Sequence, residues 1–148
     1  MKLCSLSFIA LLSALLAPAA FPAINLQITE VWPGQLASGK VTEDWFEITN
    51  FGSTAWTPAD GDLYYDDGSA NASQAELIQG ISSIAAGQSV VVVVGRSNDA
   101  AEFNPAWGLA LSPVGYTGPA AALGFSGDAV TLWMILTSLL QSRQAPGY

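Results

Sequence analysis

Ile24, Leu26 and Ile28 alternate with Asn25, Gln27 and Thr29, the two-residue period of a strand with one buried face. On that parity Glu30 faces inward, and Pro33-Gly34 closes the segment, so its carboxylate is expected at the solvated rim of an ending strand. Residues 35–43 carry no periodicity and read as a loop. From Asp44 the alternation returns, with Phe46 and Ile48 on one face and Trp45, Glu47 and Thr49 on the other. Asn50-Phe51-Gly52 then reads as a turn that needs positive φ. Residues 63–65 form a short strand between acidic turns, and 75–84 a further extended segment with Leu77, Ile81 and Ile84 as core. The run 89–95 holds five consecutive valines, which predicts a central strand covered on both faces. A short helix follows over 97–103, stopped by Asn104-Pro105. Residues 110–122, rich in Gly, Pro and Ala, read as an irregular surface crossing. Residues 129–133 are the last strand, with Val130 and Leu132 on one face.

Short strands punctuated by Gly, Pro, Asn and Asp, with one small helix, predict an all-β fold, an antiparallel β-sandwich. A chain of 148 residues is one domain's worth, with one core. The first 23 residues stand apart from it. Lys2, an apolar run from Leu6 to Leu16, and Ala17-Pro18-Ala19-Ala20 have the layout of a secretory signal cut between Ala19 and Ala23. The run is too short for a membrane anchor.

Removing that leader changes the chemistry available. Cys4 is the only cysteine and histidine is absent, so the remaining chain can build neither a disulfide framework nor a histidine- or cysteine-based nucleophile or zinc site. The net charge goes from −8 to −9 once Lys2 is gone, with twelve acids against Lys40, Arg96 and Arg143. Three scattered cations cannot neutralise a phosphate backbone, which argues against nucleic acid and anionic membranes as partners.

Three constellations remain. Asp60, Asp62, Asp66 and Asp67 offer hard oxygen donors around Gly61 and Gly68, the chemistry of a calcium loop. Their spacing departs from the helix–loop–helix calcium motif, and Asp-Gly is also plain turn chemistry. Calcium is the one cofactor the composition leaves open. Glu30 and Glu47 could meet on adjacent strands as a glycosidase pair, although a module of this size has little room for a bound sugar. Trp45, Trp56, Tyr64, Tyr65 and Trp107 exceed what a small core needs, and Trp56, Tyr64 and Tyr65 are the candidate binding platform.

Several motifs in order resemble those of the lamin tail domain, an immunoglobulin-like β-sandwich of nuclear lamins and of many secreted bacterial proteins. They are Ile28-Thr29-Glu30-Val31, Asp44-Trp45-Phe46-Glu47-Ile48-Thr49-Asn50-Phe51-Gly52 and Ala85-Ala86-Gly87-Gln88-Ser89-Val90-Val91-Val92. Ala100-Ala101-Glu102-Phe103-Asn104-Pro105-Ala106-Trp107-Gly108 and Gly124-Phe125-Ser126-Gly127-Asp128-Ala129-Val130-Thr131-Leu132 complete the series, which spans residues 24–133. The resemblance implies an immunoglobulin-like sandwich with one short helix. It also implies a secreted, non-catalytic module for binding or adhesion, meeting a protein or a surface glycan. A calcium-dependent carbohydrate-binding module is the alternative. The family follows its last motif with an Asp/Asn/Gly turn and a further strand. Here residues 134–148 continue without a turn signal, which reads as an atypical tail left by a truncated or frameshifted end.

Overall fold

The structure is a computed structural model that describes residues 23–34, 43–120, 122–124 and 127–136. Strands β1 (Leu26–Trp32), β2 (Asp44–Asn50), β3 (Asp62–Asp66), β4 (Glu76–Leu77) and β5 (Ser89–Val94) come first. Helix α1 (Ser97–Trp107) and strands β6 (Val114–Tyr116) and β7 (Thr131–Ile135) complete the order. They form a four-stranded sheet, β1-β2-β5-β6, and a three-stranded sheet, β4-β3-β7. Among the described residues the fold is therefore mostly strands in two sheets, with one α-helix and a 3₁₀ turn at Pro58–Asp60.

The two sheets face each other across one apolar core. Phe46, Ile48, Val90, Val92 and Val94 come from the larger sheet and Leu63 and Tyr65 from the smaller, joined by Trp56, Ile78, Ile81, Ile84 and Leu123. Phe46 stacks on Tyr65 across the gap, with ring centroids 4.9 Å apart. Burial raises the Tyr65 phenol well above its ordinary range, with the carboxylates of Asp67, Asp128, Asp44 and Asp66 adding to the effect. A second apolar cluster lies on the outer face of the larger sheet. There α1 lays Ala100 and Phe103 over Trp45, Val91 and Val93. The valine run is thus covered on both faces, as its composition requires.

The sequence expectation of antiparallel pairing holds for every strand pair but one. β5 and β6 run parallel, with Val91, Val92 and Val93 opposite Val114, Gly115 and Tyr116. Parallel neighbours need a crossover, and α1 provides it. β6 falls inside the stretch expected to be irregular, because three residues following Pro113 are too few for a visible period. In the fourth extended segment Leu77 is 40% exposed, while Ile78, Ile81 and Ile84 are buried. That segment passes from one sheet to the other, pairing at Tyr64 and Tyr65 of β3 and then, through Gln79, with Tyr116 of β6. The last strand runs to Ile135, two residues beyond the boundary expected at Trp133. The leader through residue 22 and the tail from residue 137 lie outside the described residues.

Asp44 and Asn50, at the two ends of β2, hold loops rather than make turns. The Asp44 carboxylate accepts the Gly34 and Leu123 backbone N–H groups, each at 2.6 Å. Asn50 is fully buried and not in positive φ. Its carbonyl accepts from Gly52 and Asn25, and its amide donates to Thr54 and Ile84 carbonyls at 2.9 and 3.0 Å. Gly52 is needed for close approach, since a Cβ there would meet the Ala23 carbonyl at 2.7 Å.

Candidate functional site

A one-residue irregularity in β1 creates the site. Ile28 pairs with Ile48, but the next matched pair is Glu30 with Glu47, so Thr29 is a bulge residue with no partner of its own. The bulge shifts the parity read from the sequence. Glu30 leaves the core side and lies on the outer face directly opposite Glu47, and Trp32 comes opposite Trp45. Opposed residues of an antiparallel pair have Cβ atoms about 5 Å apart, and like charges placed so are destabilising.

Hydroxyls order the Glu47 carboxylate. Thr29 Oγ1 donates to Glu47 Oε1 at 2.5 Å, Thr49 Oγ1 lies 2.9 Å from Thr29 Oγ1, and Ser89 Oγ lies 2.7 Å from Thr49 Oγ1. Each hydroxyl has one proton. Because Thr29 uses its proton on Glu47, Thr49 must donate to Thr29 and Ser89 to Thr49. The chain of donors therefore runs toward the carboxylate from three adjacent strands. Glu30, by contrast, accepts no hydrogen bond from a described residue and is exposed.

The opposite wall comes from α1 and the turn after it. The Arg96 N–H donates to the Asp99 carboxylate at 2.6 Å, closing the first helical turn. The helix does not stop at Asn104-Pro105, as the sequence suggested. It continues to Trp107 and ends at Gly108, whose φ of 67° and N–H bonded to the Asn104 carbonyl make a left-handed cap. The Asn104 side chain then clamps Leu111, donating to its carbonyl at 2.7 Å and accepting its N–H at 3.0 Å. This holds Leu109 and Leu111 beside the helix end, 47% and 40% exposed.

Between these walls lies a cleft of about 410 Å³, half open to solvent. Trp45, Glu47 and Val91 form its floor, Glu30 and Trp32 one side, and Phe103, Trp107, Leu109 and Leu111 the other. The Trp32 and Trp45 rings are nearly parallel at 18° with centroids 6.5 Å apart, and Trp107 stands edge-on to both at 5.9 Å. Phe103 meets Trp45 edge-on at 5.6 Å. The indole N–H groups of Trp32 and Trp45 are buried without a hydrogen-bond partner. The one cation among the described residues, Arg96, starts α1 and does not line the cleft.

The residues singled out from the sequence are placed differently. A platform of Trp56, Tyr64 and Tyr65 does not form. Trp56 is 3% exposed with its indole bonded to the Gly61 carbonyl at 3.0 Å, and Tyr65 is fully buried, so both rings are core. Tyr64 alone is partly exposed, opposite Trp133 on the outer face of the smaller sheet. Among the described residues no group of three carboxylates is arranged to hold a cation. Asp60 accepts the N–H and hydroxyl of Thr57, each at 2.9 Å. Asp66, 2% exposed, accepts the Ser69 hydroxyl at 2.8 Å and the Asn71 N–H at 2.5 Å, and Asp67 accepts the Ser69 N–H at 2.8 Å. Asp62 sits at the start of β3, opposite Ile135. A further carboxylate, Asp128, gathers the N–H groups of Gly68, Gly124 and Ala129 at 2.8–2.9 Å, and these bonds hold its pKa below the ordinary 3.8.

Sequence reasoning placed Glu30 and Glu47 on adjacent strands, where the structure pairs them, but did not join them to Trp45 and Trp107, and it missed Trp32, Phe103, Leu109 and Leu111. No family model, curated protein or solved structure matches the chain. Among the described residues no helix is long and apolar enough to cross a membrane.

Proposed function

We propose that the chain is an exported, non-catalytic binding module of the lamin-tail type, an immunoglobulin-like β-sandwich that meets a protein or a surface glycan outside the cell. The observation that carries the binding role is the outer-face cleft, in which Trp32, Trp107 and two carboxylates share one concave surface over the buried ring of Trp45. A concave, mostly aromatic surface with few polar groups is the usual form of a ligand site. The family part rests on the order of the quoted motifs, which fall on β1, β2, the turn into β5, α1 and the approach to β7. Export rests on the leader-like composition of the first 23 residues. The acidity of the chain weighs against nucleic acid as the partner.

A non-catalytic role is favoured over glycoside hydrolysis by the arrangement of the two carboxylates. Hydrolysis needs an acid and a base or nucleophile flanking the bond from different sides. Glu30 and Glu47 arise from opposed positions on one sheet face, and a ligand over that face meets both from the same side. For the carbohydrate alternative, Asp60, Asp66 and Asp67 bond their own turns, and a sugar could stack on the cleft's rings.

The test is a titration of the full chain with arginine-, lysine- and citrulline-containing peptides, quaternary ammonium ions and neutral oligosaccharides, following the indole N–H resonances. Saturable shifts of the Trp32, Trp45 or Trp107 signals by at least one class, lost in Trp107→Ala, are expected. Silence of these indoles toward every class sinks the binding role of the cleft.

A further inference from the structure

We infer that the cleft takes the guanidinium side chain of an arginine presented by a partner polypeptide. This rests on the cleft being a binding site and names what enters it. Glu30 and Glu47 are opposed across β1 and β2, and no cation of the described chain lines the cleft. Two like charges so placed repel, and a ligand that brings a positive charge between them removes that cost.

The kind of cation follows from what the carboxylates still lack. Glu30 accepts nothing from a described residue, and Glu47 has one oxygen engaged by Thr29 and the other open. The site therefore presents several unfilled acceptor positions in a half-enclosed space. A quaternary ammonium carries no N–H and would leave them all unfilled. A lysine ammonium has three donors but is compact and strongly hydrated. A guanidinium has five donors in a planar fork that suits carboxylates, and its flat face stacks on indoles.

Trp32 and Trp107 meet at right angles, with ring centroids 5.9 Å apart, and both line the cleft, so a planar cation can stack on one ring while its edge reaches the carboxylates. Leu109 and Leu111, exposed beside Trp107, offer apolar surface for the methylene stem. The hydroxyl chain from Ser89 to Glu47 holds the carboxylate in one orientation, with its second oxygen left for a ligand.

The experiment titrates acetyl-Gly-Arg-Gly-amide and its citrulline counterpart into the full chain, reading indole N–H shifts and tryptophan emission. Citrulline keeps shape and polarity but lacks the charge. The arginine peptide is expected to bind at least about tenfold tighter than the citrulline peptide, and to weaken as salt rises from low to physiological ionic strength. Glu30→Gln and Glu47→Gln are each expected to weaken it about tenfold. Should either variant fail to fold by circular dichroism, the citrulline and salt arms decide alone. Equal binding of the two peptides overturns the inference, as does tighter binding of tetramethylammonium or of the lysine peptide. If an oligosaccharide moves the same indoles and the arginine peptide does not, the cleft remains a binding site and the arginine assignment falls. If nothing moves them, both fall.

Discussion

The chain has two concentrations of acid, and they behave in opposite ways. Asp60, Asp66, Asp67 and Asp128 lie in or beside turns, where unpaired backbone N–H groups are close at hand, and each carboxylate takes them up. Glu30 and Glu47 lie within strands, where the backbone donors already serve the ladder. Their carboxylates can bond only to side chains or to something from outside. Acids adjacent in sequence are thus consumed by local structure, whereas acids made adjacent by strand pairing stay available. Proximity along the chain singled out carboxylates that bond their own turns.

The contrast can be broken from either side. Replacing Asp66 should have the largest effect, because a buried acceptor of two hydrogen bonds disappears. Asp66→Ala is expected to lower unfolding free energy by about 3 kcal/mol, measured by urea denaturation. A loss under about 0.5 kcal/mol would mean that the turn does not depend on its carboxylate. Asp128 gives a smaller, pH-dependent signature. Its folded pKa is depressed, so its contribution is present above the ordinary 3.8 and is lost as pH falls through the lower folded value. Thermal melts between pH 5 and pH 2 should therefore show Asp128→Asn with a shallower acid decline than the parent chain, and parallel declines would remove Asp128 from the acid response.

Glu30→Gln should be the mildest and of opposite sign. Relief of the opposed charges is expected to raise stability, by at most about 1 kcal/mol, in the same denaturation assay. A clear loss instead would show Glu30 to be structurally engaged, like the turn aspartates.

Much of the fold was legible, for identifiable reasons. Phe46 and Ile48 were readable as core from period two, and the valines as doubly covered from their unbroken run. The parallel β5–β6 pair was not, since β6 is three residues long and contains a glycine. That glycine has a packing reason, because a Cβ at Gly115 would lie 2.6 Å from the Ile81 side chain. The site was only half legible. Its residue types were noticed, but the bulge at Thr29 that turns Glu30 and Trp32 outward leaves no sequence signal, as a polar Thr-Glu pair fits either parity. Nor does Pro105 advertise that it sits within the last turn of α1, carrying Trp107 to the cleft. Asn50 misled because Asn-x-Gly is turn chemistry, while here its side-chain amide bonds Gly52, Thr54 and Ile84 and so ties two loops to β2.

The near-parallel indoles of Trp32 and Trp45 also have an optical consequence. At a centroid separation of 6.5 Å their excited states couple, and absorbed light is shared between the two rings instead of residing on either. Such a pair gives a bisignate circular-dichroism band whose sign follows the handedness of the twist between the rings. Trp107, with its ring centroid 5.9 Å from each of theirs, lies close enough to perturb that band when it moves. The protein thus carries an intrinsic chromophore at its cleft, able to report a change in ring geometry without any label.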